Sequence, residues 1–230
     1  MSAWKEQWRQ NGITHGVLVQ PSFFGTDNRE LLAALATDPA HLRGVAVIDP
    51  SFGDGALREL GASGIVALRL NLHGVEAVAP YFEGKWRALL ERCARVGWHV
   101  EVFANAGMAP RVAQLLAPIA IDVVFDHFAV PEAGRLGETY DALASLASTR
   151  AVWCKLSAPY RIAPANADEC AGACVAALGA DRVVWGSDWP FTRHEGAADY
   201  AILRRRAGAW AGSREQALLW DNAARLYRFG

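Results

Sequence analysis

Short apolar segments alternate with longer helix-forming segments along the whole chain. The apolar segments carry several β-branched or other apolar residues in succession, as parallel strands buried on both faces do. The strand-then-helix unit recurs at about 25 to 35 residues, which is typical of the βαβ unit. Seven segments have this character: HGVLVQPSF from His15, RGVAVIDP from Arg43, IVALRLNL from Ile65, HVEVFANA from His99, DVVFDHF from Asp122, AVWCKLSAP from Ala151 and RVVWGSDWP from Arg182.

Two of the intervening helices have recognisable ends. NRELLAALATDP is predicted to start with Asp27 or Asn28 as its N-cap and to stop before Pro39. KWRALLERCARVG is predicted to end at Gly97, since glycine suits a helix C-terminus. No Gly/Ser linker or change of composition divides the 230 residues, so we expect a single domain over 1–230.

Two architectures are built from this unit, the open doubly wound sheet and the closed (β/α) barrel. The GxGxxG fingerprint of dinucleotide-binding folds and the GxxxxGK[ST] phosphate loop are both missing. Polar residues instead follow nearly every predicted strand, and barrels build their sites from these strand ends. The chain is therefore predicted to be an α/β protein with a TIM-type (β/α) barrel, although 230 residues is slightly short for one.

Composition excludes several classes of partner. The chain has 23 Lys and Arg against 24 Asp and Glu, so it lacks the basic field that nucleic-acid binding uses. No apolar run approaches the roughly 18 residues that span a bilayer. MSAWKEQWRQNG lacks the apolar segment of a secretory signal, so we expect a cytoplasmic protein.

The four cysteines are expected to be thiols, and Cys170 and Cys174 to be packing residues rather than metal ligands.

Asp188 and His127 are the candidate catalytic residues. Asp188 ends an apolar strand, where a buried carboxylate needs a partner, although a helix-capping or structural aspartate is an equal alternative. His127 ends another strand, where a lone histidine is more often a structural hydrogen-bonder than a catalyst. Because side chains alternate along a strand, Asp126 and His127 are expected to face opposite ways, so that only one enters the pocket.

Arg69, Lys155 and Arg161 are the candidate cations. A guanidinium at the end of a buried strand should meet a carboxylate, either that of a substrate or that of Glu101 or Asp49. Arg161 lies in a predicted loop, where simple solvation is the more ordinary alternative.

Six segments together resemble, in order and spacing, the amidohydrolase-2 branch of the amidohydrolase superfamily: RGVAVIDP, GIVALRLNL, VVFDHFAVP, VWCKLSAPYR, VVWGSDWP and DNAARLYRF. Within that branch they are most similar to the 2-pyrone-4,6-dicarboxylate lactonases and related TIM-barrel hydrolases. The resemblance implies a hydrolase acting on a lactone or related carboxylic ester. Asp188 would then activate the hydrolytic water, and His127 would lie over the same site and, with Arg69, hold the developing oxyanion.

The resemblance also implies substrate contacts. Ser22, Arg69 and Arg161 fall where members of the lactonase group contact an anionic substrate. Neither Ser22 nor Ser157 has a GxSxG context, so serine catalysis is not expected. The complete predicted substrate-binding set is Ser22, Arg69, Asn71, Phe103, Ser157 and Arg161.

One departure from the lactonase-like pattern bears on the substrate. Ala129 and Val130 precede Pro131 where such relatives commonly carry a basic residue, so we expect a less charged lactone than the dicarboxylate.

A second departure lies at the N-terminus. The family carries an HxH or similar pair on its first strand, and this sequence contains no HxH. We therefore expect the first strand to be missing and the domain to be N-terminally truncated relative to the family. The family includes divalent-metal, mainly zinc, enzymes, and a catalytic zinc needs about three protein ligands. Asp188 and His127 supply at most two, so no metal and no other cofactor is predicted.

Two alternatives to a lactonase stay open. One is a catalytically impaired or truncated family member that at most binds a ligand, and the other is a zinc-dependent decarboxylase of the same branch. An opened barrel would expose the edges of its first and last strands, so we expect either a homodimer that covers the gap or poor solubility.

Overall fold

Seven parallel strands form one sheet in the order in which they occur in the chain. The computed structural model describes residues 3–196 and 198–230. Each predicted apolar segment contains one strand, which confirms that prediction. Within the described residues β1 pairs only with β2 and β7 only with β6, so the sheet is a barrel wall that curls but stays open. The strands are β1 (Gly16–Val19), β2 (Leu42–Ala46), β3 (Ile65–Leu72), β4 (His99–Ala104), β5 (Val123–Phe125), β6 (Val152–Ser157) and β7 (Val183–Gly186).

The helices that connect successive strands pack against the outer face of the sheet. The first helix precedes β1, and the last packs against the inner face. Gly97 has a φ of 78° just beyond the end of α4, which confirms the predicted helix end. The pattern did not predict α8, because Arg204, Arg205 and Arg206 interrupt its apolar period. The helices are α1 (Ala3–Asn11), α2 (Arg29–Ala36), α3 (Asp54–Ala62), α4 (Gly84–Arg95), α5 (Ala109–Leu116), α6 (Leu136–Ala147), α7 (Ala167–Leu178), α8 (Tyr200–Ala211) and α9 (Asn222–Tyr227).

Of the two predicted N-cap residues of α2, Asp27 accepts a hydrogen bond from the Arg29 backbone N–H at 3.2 Å through Oδ1. The side chain of Asn28 makes no capping hydrogen bond to α2. Its amide nitrogen instead donates to the carbonyl oxygens of Thr26 and Val47, at 3.0 and 2.8 Å, and its amide oxygen accepts from the Val47 backbone. Asn28 therefore ties together the loops that follow β1 and β2.

The inner face of the sheet has an apolar floor and a polar upper part. The floor consists of strand residues that pack against α9: Val45, Ala67, Val124, Trp153 and Val184, together with Leu226 and Tyr227 of the helix. Polar residues follow these positions along the same strands. The C-terminal ends of the strands are therefore the end at which a site can form.

Helix α1 packs at the open side of the sheet. The ring of Trp8 lies so close to β1 that a Cβ atom on Gly16 would stand 2.0 Å from it, which only glycine avoids. Trp8 also packs against a cluster of Phe191, Tyr200 and Leu203, from the segment after β7. Helix α1 thus connects the two regions that flank the gap. A homodimer that covers this gap stays a prediction.

The cysteines and the lengths of the helices agree with the sequence analysis. All four cysteines are buried free thiols, and Cys170 and Cys174 lie on α7. Within the described part of the chain, none of the helices combines the length and the apolar character needed to cross a bilayer.

Candidate active site

The chain leaves β5 in a left-handed conformation that changes which side chains reach the inner face. The φ angles from His127 to Val130 are 51°, 56°, 63° and 43°. Such angles are unfavourable for residues other than glycine and persist only where the surrounding structure compensates. Asp126 and His127 both make polar contacts on the inner face. The prediction that only one of them would enter is wrong, because strand alternation ends at Phe125.

His127 is a buried, neutral imidazole between two polar partners. Its Nδ1 lies 2.9 Å from the Ser157 hydroxyl, and its Nε2 lies 3.8 Å from Asp188 Oδ1. Burial lowers the pKa of His127 to about 4, although the neighbouring carboxylates act in the opposite sense. In the tautomer that accepts the Ser157 hydroxyl proton at Nδ1, the neutral ring carries its proton on Nε2 and presents an N–H group toward Asp188.

Asp188 has two carboxylate oxygens in different surroundings. Its Oδ2 accepts hydrogen bonds from Arg161 Nε at 2.6 Å and from the Tyr160 hydroxyl at 2.7 Å. Burial raises the pKa of Tyr160 well above its usual value, and the Asp188 charge adds to this effect, so the phenol stays a donor. The other oxygen, Oδ1, faces His127. Asp188 is therefore anchored through one oxygen and offers the other to the interior.

Arg161 and Tyr160 reach Asp188 from the loop after β6. The Arg161 side chain is 18% exposed and also donates to the backbone carbonyl of Thr192. Simple solvation of Arg161 is therefore wrong as an interpretation. Sequence reasoning missed Tyr160, whose one available signal was its position directly before Arg161.

Arg69 meets a carboxylate, as expected, but a different one from those considered. Its Nη1 donates to Asp126 Oδ2 at 2.7 Å. Asp49 instead accepts hydrogen bonds from the backbone and hydroxyl of Ser51. Arg69 is the Cα partner of Glu101 in the β3–β4 register, but Glu101 is paired with Lys155. Strand register alone therefore does not determine the partner of Arg69, because the guanidinium pairs with a carboxylate other than that of its register partner.

The other predicted substrate-binding residues differ in their surroundings. Phe103 packs edge-on against His127, at 5.0 Å between ring centroids, and stacks with His73 at 4.9 Å. Asn71 accepts a hydrogen bond from the His73 backbone. Ser22 is exposed on the short helical turn Ser22–Phe24 after β1. The structure therefore groups Phe103, Ser157 and Arg161 around the two catalytic candidates, and the substrate contacts stay predictions.

The sequence profile described as that of the amidohydrolases matches residues 2–229. The chain belongs to this family of hydrolases. A 2-pyrone-4,6-dicarboxylate hydrolase of Comamonas testosteroni is 28% identical, over 94% of this chain and 76% of that protein. A crystal structure from Pseudomonas putida, provisionally assigned as a 2-pyrone-4,6-dicarboxylic acid hydrolase, is 40% identical with a TM-score of 0.89, over 98% of this chain and 86% of that one. The predicted family and barrel fold are confirmed.

One similar structure contains a metal ion. An amidohydrolase from Burkholderia multivorans with bound zinc is 25% identical, with a TM-score of 0.80, over 99% of this chain and 88% of that one. In residues 3–196 and 198–230 of this chain, no three His, Cys, Asp or Glu side chains form a group that could hold a metal. Arg161 already occupies one oxygen of Asp188, so a cation there would face a guanidinium. These residues do not fit a tightly held zinc ion.

Proposed function

We propose that the protein hydrolyses a lactone or a related carboxylic ester, with Asp188 as the general base that activates water. The unequal surroundings of the two Asp188 oxygens support this proposal. Arg161 and Tyr160 hold Oδ2 at 2.6 and 2.7 Å, which fixes the carboxylate in place. Oδ1 keeps its lone pairs for the proton of a water molecule.

The reaction needs one proton acceptor and one group of hydrogen-bond donors. Water attacks the acyl carbon while its proton moves to Oδ1 of Asp188, and the carbonyl oxygen becomes an oxyanion. The Nε2–H group of His127 and the guanidinium of Arg69 stabilise this oxyanion. The bond between the acyl carbon and the ring oxygen then breaks, and Asp188 returns the proton to that oxygen. The product is a hydroxy acid, formed from one lactone and one water.

The ring type and the charge of the substrate are inferred from different observations. The Comamonas relative is named for 2-pyrone-4,6-dicarboxylate, a six-membered unsaturated lactone that carries two carboxylates, and this name supports a lactone as the substrate class. Ala129 and Val130 are buried, at 5% and 7% exposure, and bring no charge to the loop after β5. We therefore infer a less charged substrate than a dicarboxylate.

Replacement of Asp188 by Asn tests the proposal. The amide keeps the shape of the side chain but cannot take up a proton, so we expect lactone hydrolysis to fall by at least about 100-fold. A matched control is Asp181→Asn, an exposed carboxylate at the opposite end of β7. Hydrolysis of a series of lactones is followed by titration of the released acid, and far-UV circular dichroism checks the fold. Unchanged turnover in the Asp188 variant would refute the assignment.

The same measurements separate the two alternatives. A catalytically impaired family member would bind lactones without releasing acid. A decarboxylase would release carbon dioxide and shorten its substrate by one carboxylate, which mass spectrometry of the product detects. The described residues do not favour a zinc-dependent decarboxylase, since they bring no three ligands together.

A further inference from the structure

Four charged side chains form a buried group on the inner face, and the proposed reaction uses only one of them. Lys155 Nζ lies 2.5 Å from Glu101 Oε2 and 2.9 Å from Asp126 Oδ1. The second contact is an ion contact that lacks hydrogen-bond geometry. Arg69 binds the other oxygen of Asp126. We call Arg69, Glu101, Asp126 and Lys155 the inner charge group.

Two cations and two anions make the inner charge group neutral, and its members are nearly inaccessible. Glu101 and Asp126 are 0% and 2% exposed, and the Lys155 and Arg69 side chains are 11% exposed. Burial opposes ionisation of Glu101, but the Lys155 charge and the contact with His99 together outweigh it, so the pKa of Glu101 is lowered. The same two opposing effects leave the pKa of Lys155 raised. Glu101, Asp126 and Lys155 are therefore charged at neutral pH.

The inner charge group contains two buried carboxylates, and Arg69 binds one of them. Glu101 is the Cα partner of Arg69 across β3 and β4, so it is the nearest competitor of Asp126 for the guanidinium. Lys155 contacts one oxygen of Glu101, while the Tyr227 hydroxyl, at 2.8 Å, and His99 Nε2, at 3.4 Å, contact the other. Without the Lys155 charge, Glu101 would carry an uncompensated buried charge and would attract Arg69 toward the floor of the sheet.

Among the described residues, Asp126 accepts the hydrogen bond that the Arg69 side chain donates. A guanidinium has five N–H donors, and at 11% exposure most of them are away from bulk water. Donors in such a position favour an anionic or carbonyl oxygen of a ligand.

We propose that Lys155 is a positioning residue that neutralises Glu101 and so keeps Arg69 paired with Asp126, which leaves the other N–H groups of Arg69 to bind the single carboxylate of a monocarboxylic lactone beside the developing oxyanion. This inference rests on the proposed function for the identity of the substrate class. One carboxylate suits this site better than two, because Arg161 is already paired with Asp188 and the inner charge group is neutral.

The test measures binding, so that it does not depend on turnover. The probes are oxane-2-carboxylate and oxane-2-carboxamide, saturated cyclic ethers that cannot be hydrolysed as lactones, and isothermal titration calorimetry gives Kd. We expect the protein to bind the carboxylate about tenfold or more tightly than the amide, as a charge-assisted hydrogen bond provides. Lys155→Met should abolish this preference and leave the Kd of the amide unchanged. The exposed Lys85→Met is the matched control and should behave as the parent protein does.

A double variant separates positioning from general damage. Glu101→Gln combined with Lys155→Met removes one charge of each sign, so Arg69 keeps Asp126 as its partner and the preference for the carboxylate should return. If Lys155→Met alone does not fold, the double variant still tests whether Lys155 positions Arg69. Loss of the preference in the folded double variant, its survival in Lys155→Met, or its absence from the parent protein would each overturn the proposal. If binding follows the prediction while lactones stay intact, the proposed function fails and this inference stands.

Discussion

The neutral state of His127 predicts a specific dependence of stability on pH. Its pKa falls from an ordinary 6.5 to about 4 in the folded protein, mainly because the ring is buried. Between these two values the unfolded chain binds a proton that the folded protein excludes. The contribution to stability is therefore complete above pH 6.5 and is lost as the pH falls toward 4.

The magnitude follows from the same two values. At about 1.4 kcal/mol per pH unit, the difference between 6.5 and about 4 amounts to about 3 kcal/mol of unfolding free energy. This is a large fraction of the 5 to 15 kcal/mol that typically stabilises a domain. His127 is only 6% exposed, so solvent screening reduces the effect little.

His127→Asn is the reference variant, because asparagine tolerates the left-handed backbone at this position but does not titrate in this range. Urea unfolding of both proteins is measured at several pH values from 7 to 4. We expect the free energy of unfolding of the parent to fall by about 3 kcal/mol relative to that of the variant as the pH decreases from 6.5 to 4. In NMR spectra, one of the six histidines should titrate near pH 4, and its signal should be missing from the variant. Parallel stability profiles would refute the reasoning.

Two further substitutions test the packing around the site. Gly16→Ala would place a Cβ atom 2.0 Å from the Trp8 ring, so we expect a loss of about 1 to 3 kcal/mol in urea unfolding, partly recovered by adding Trp8→Ala. Unaltered stability of the single variant would contradict the packing of α1. Ser157→Ala would remove the hydroxyl that contacts Nδ1 of His127, and kcat/KM for a lactone should fall about tenfold, through kcat where the hydroxyl acts by orienting His127. A rise in KM with constant kcat would instead indicate that Ser157 contacts the substrate.

The site was predictable in its residues more than in its contacts. Asp188 and His127 follow apolar strands, and that position along the chain is visible in the sequence. The alternation of side chains along a strand gave a wrong prediction for Asp126 and His127, because no local pattern indicates the left-handed backbone that begins at His127. Tyr160 carries no pattern of its own, and only the folded loop brings its hydroxyl to Asp188.

The sequence by itself determined the seven strands, their order and the family. Runs of apolar residues report burial locally, so they need no knowledge of distant parts of the chain. Only the tertiary structure decided the pairing of charges, since the partners are far apart in sequence: Arg69 and Asp126 by 57 positions, Glu101 and Lys155 by 54. Which of several buried ions meet depends on strand register and sheet curvature. That choice sets the direction in which Arg69 points, and with it the inferred preference for one carboxylate.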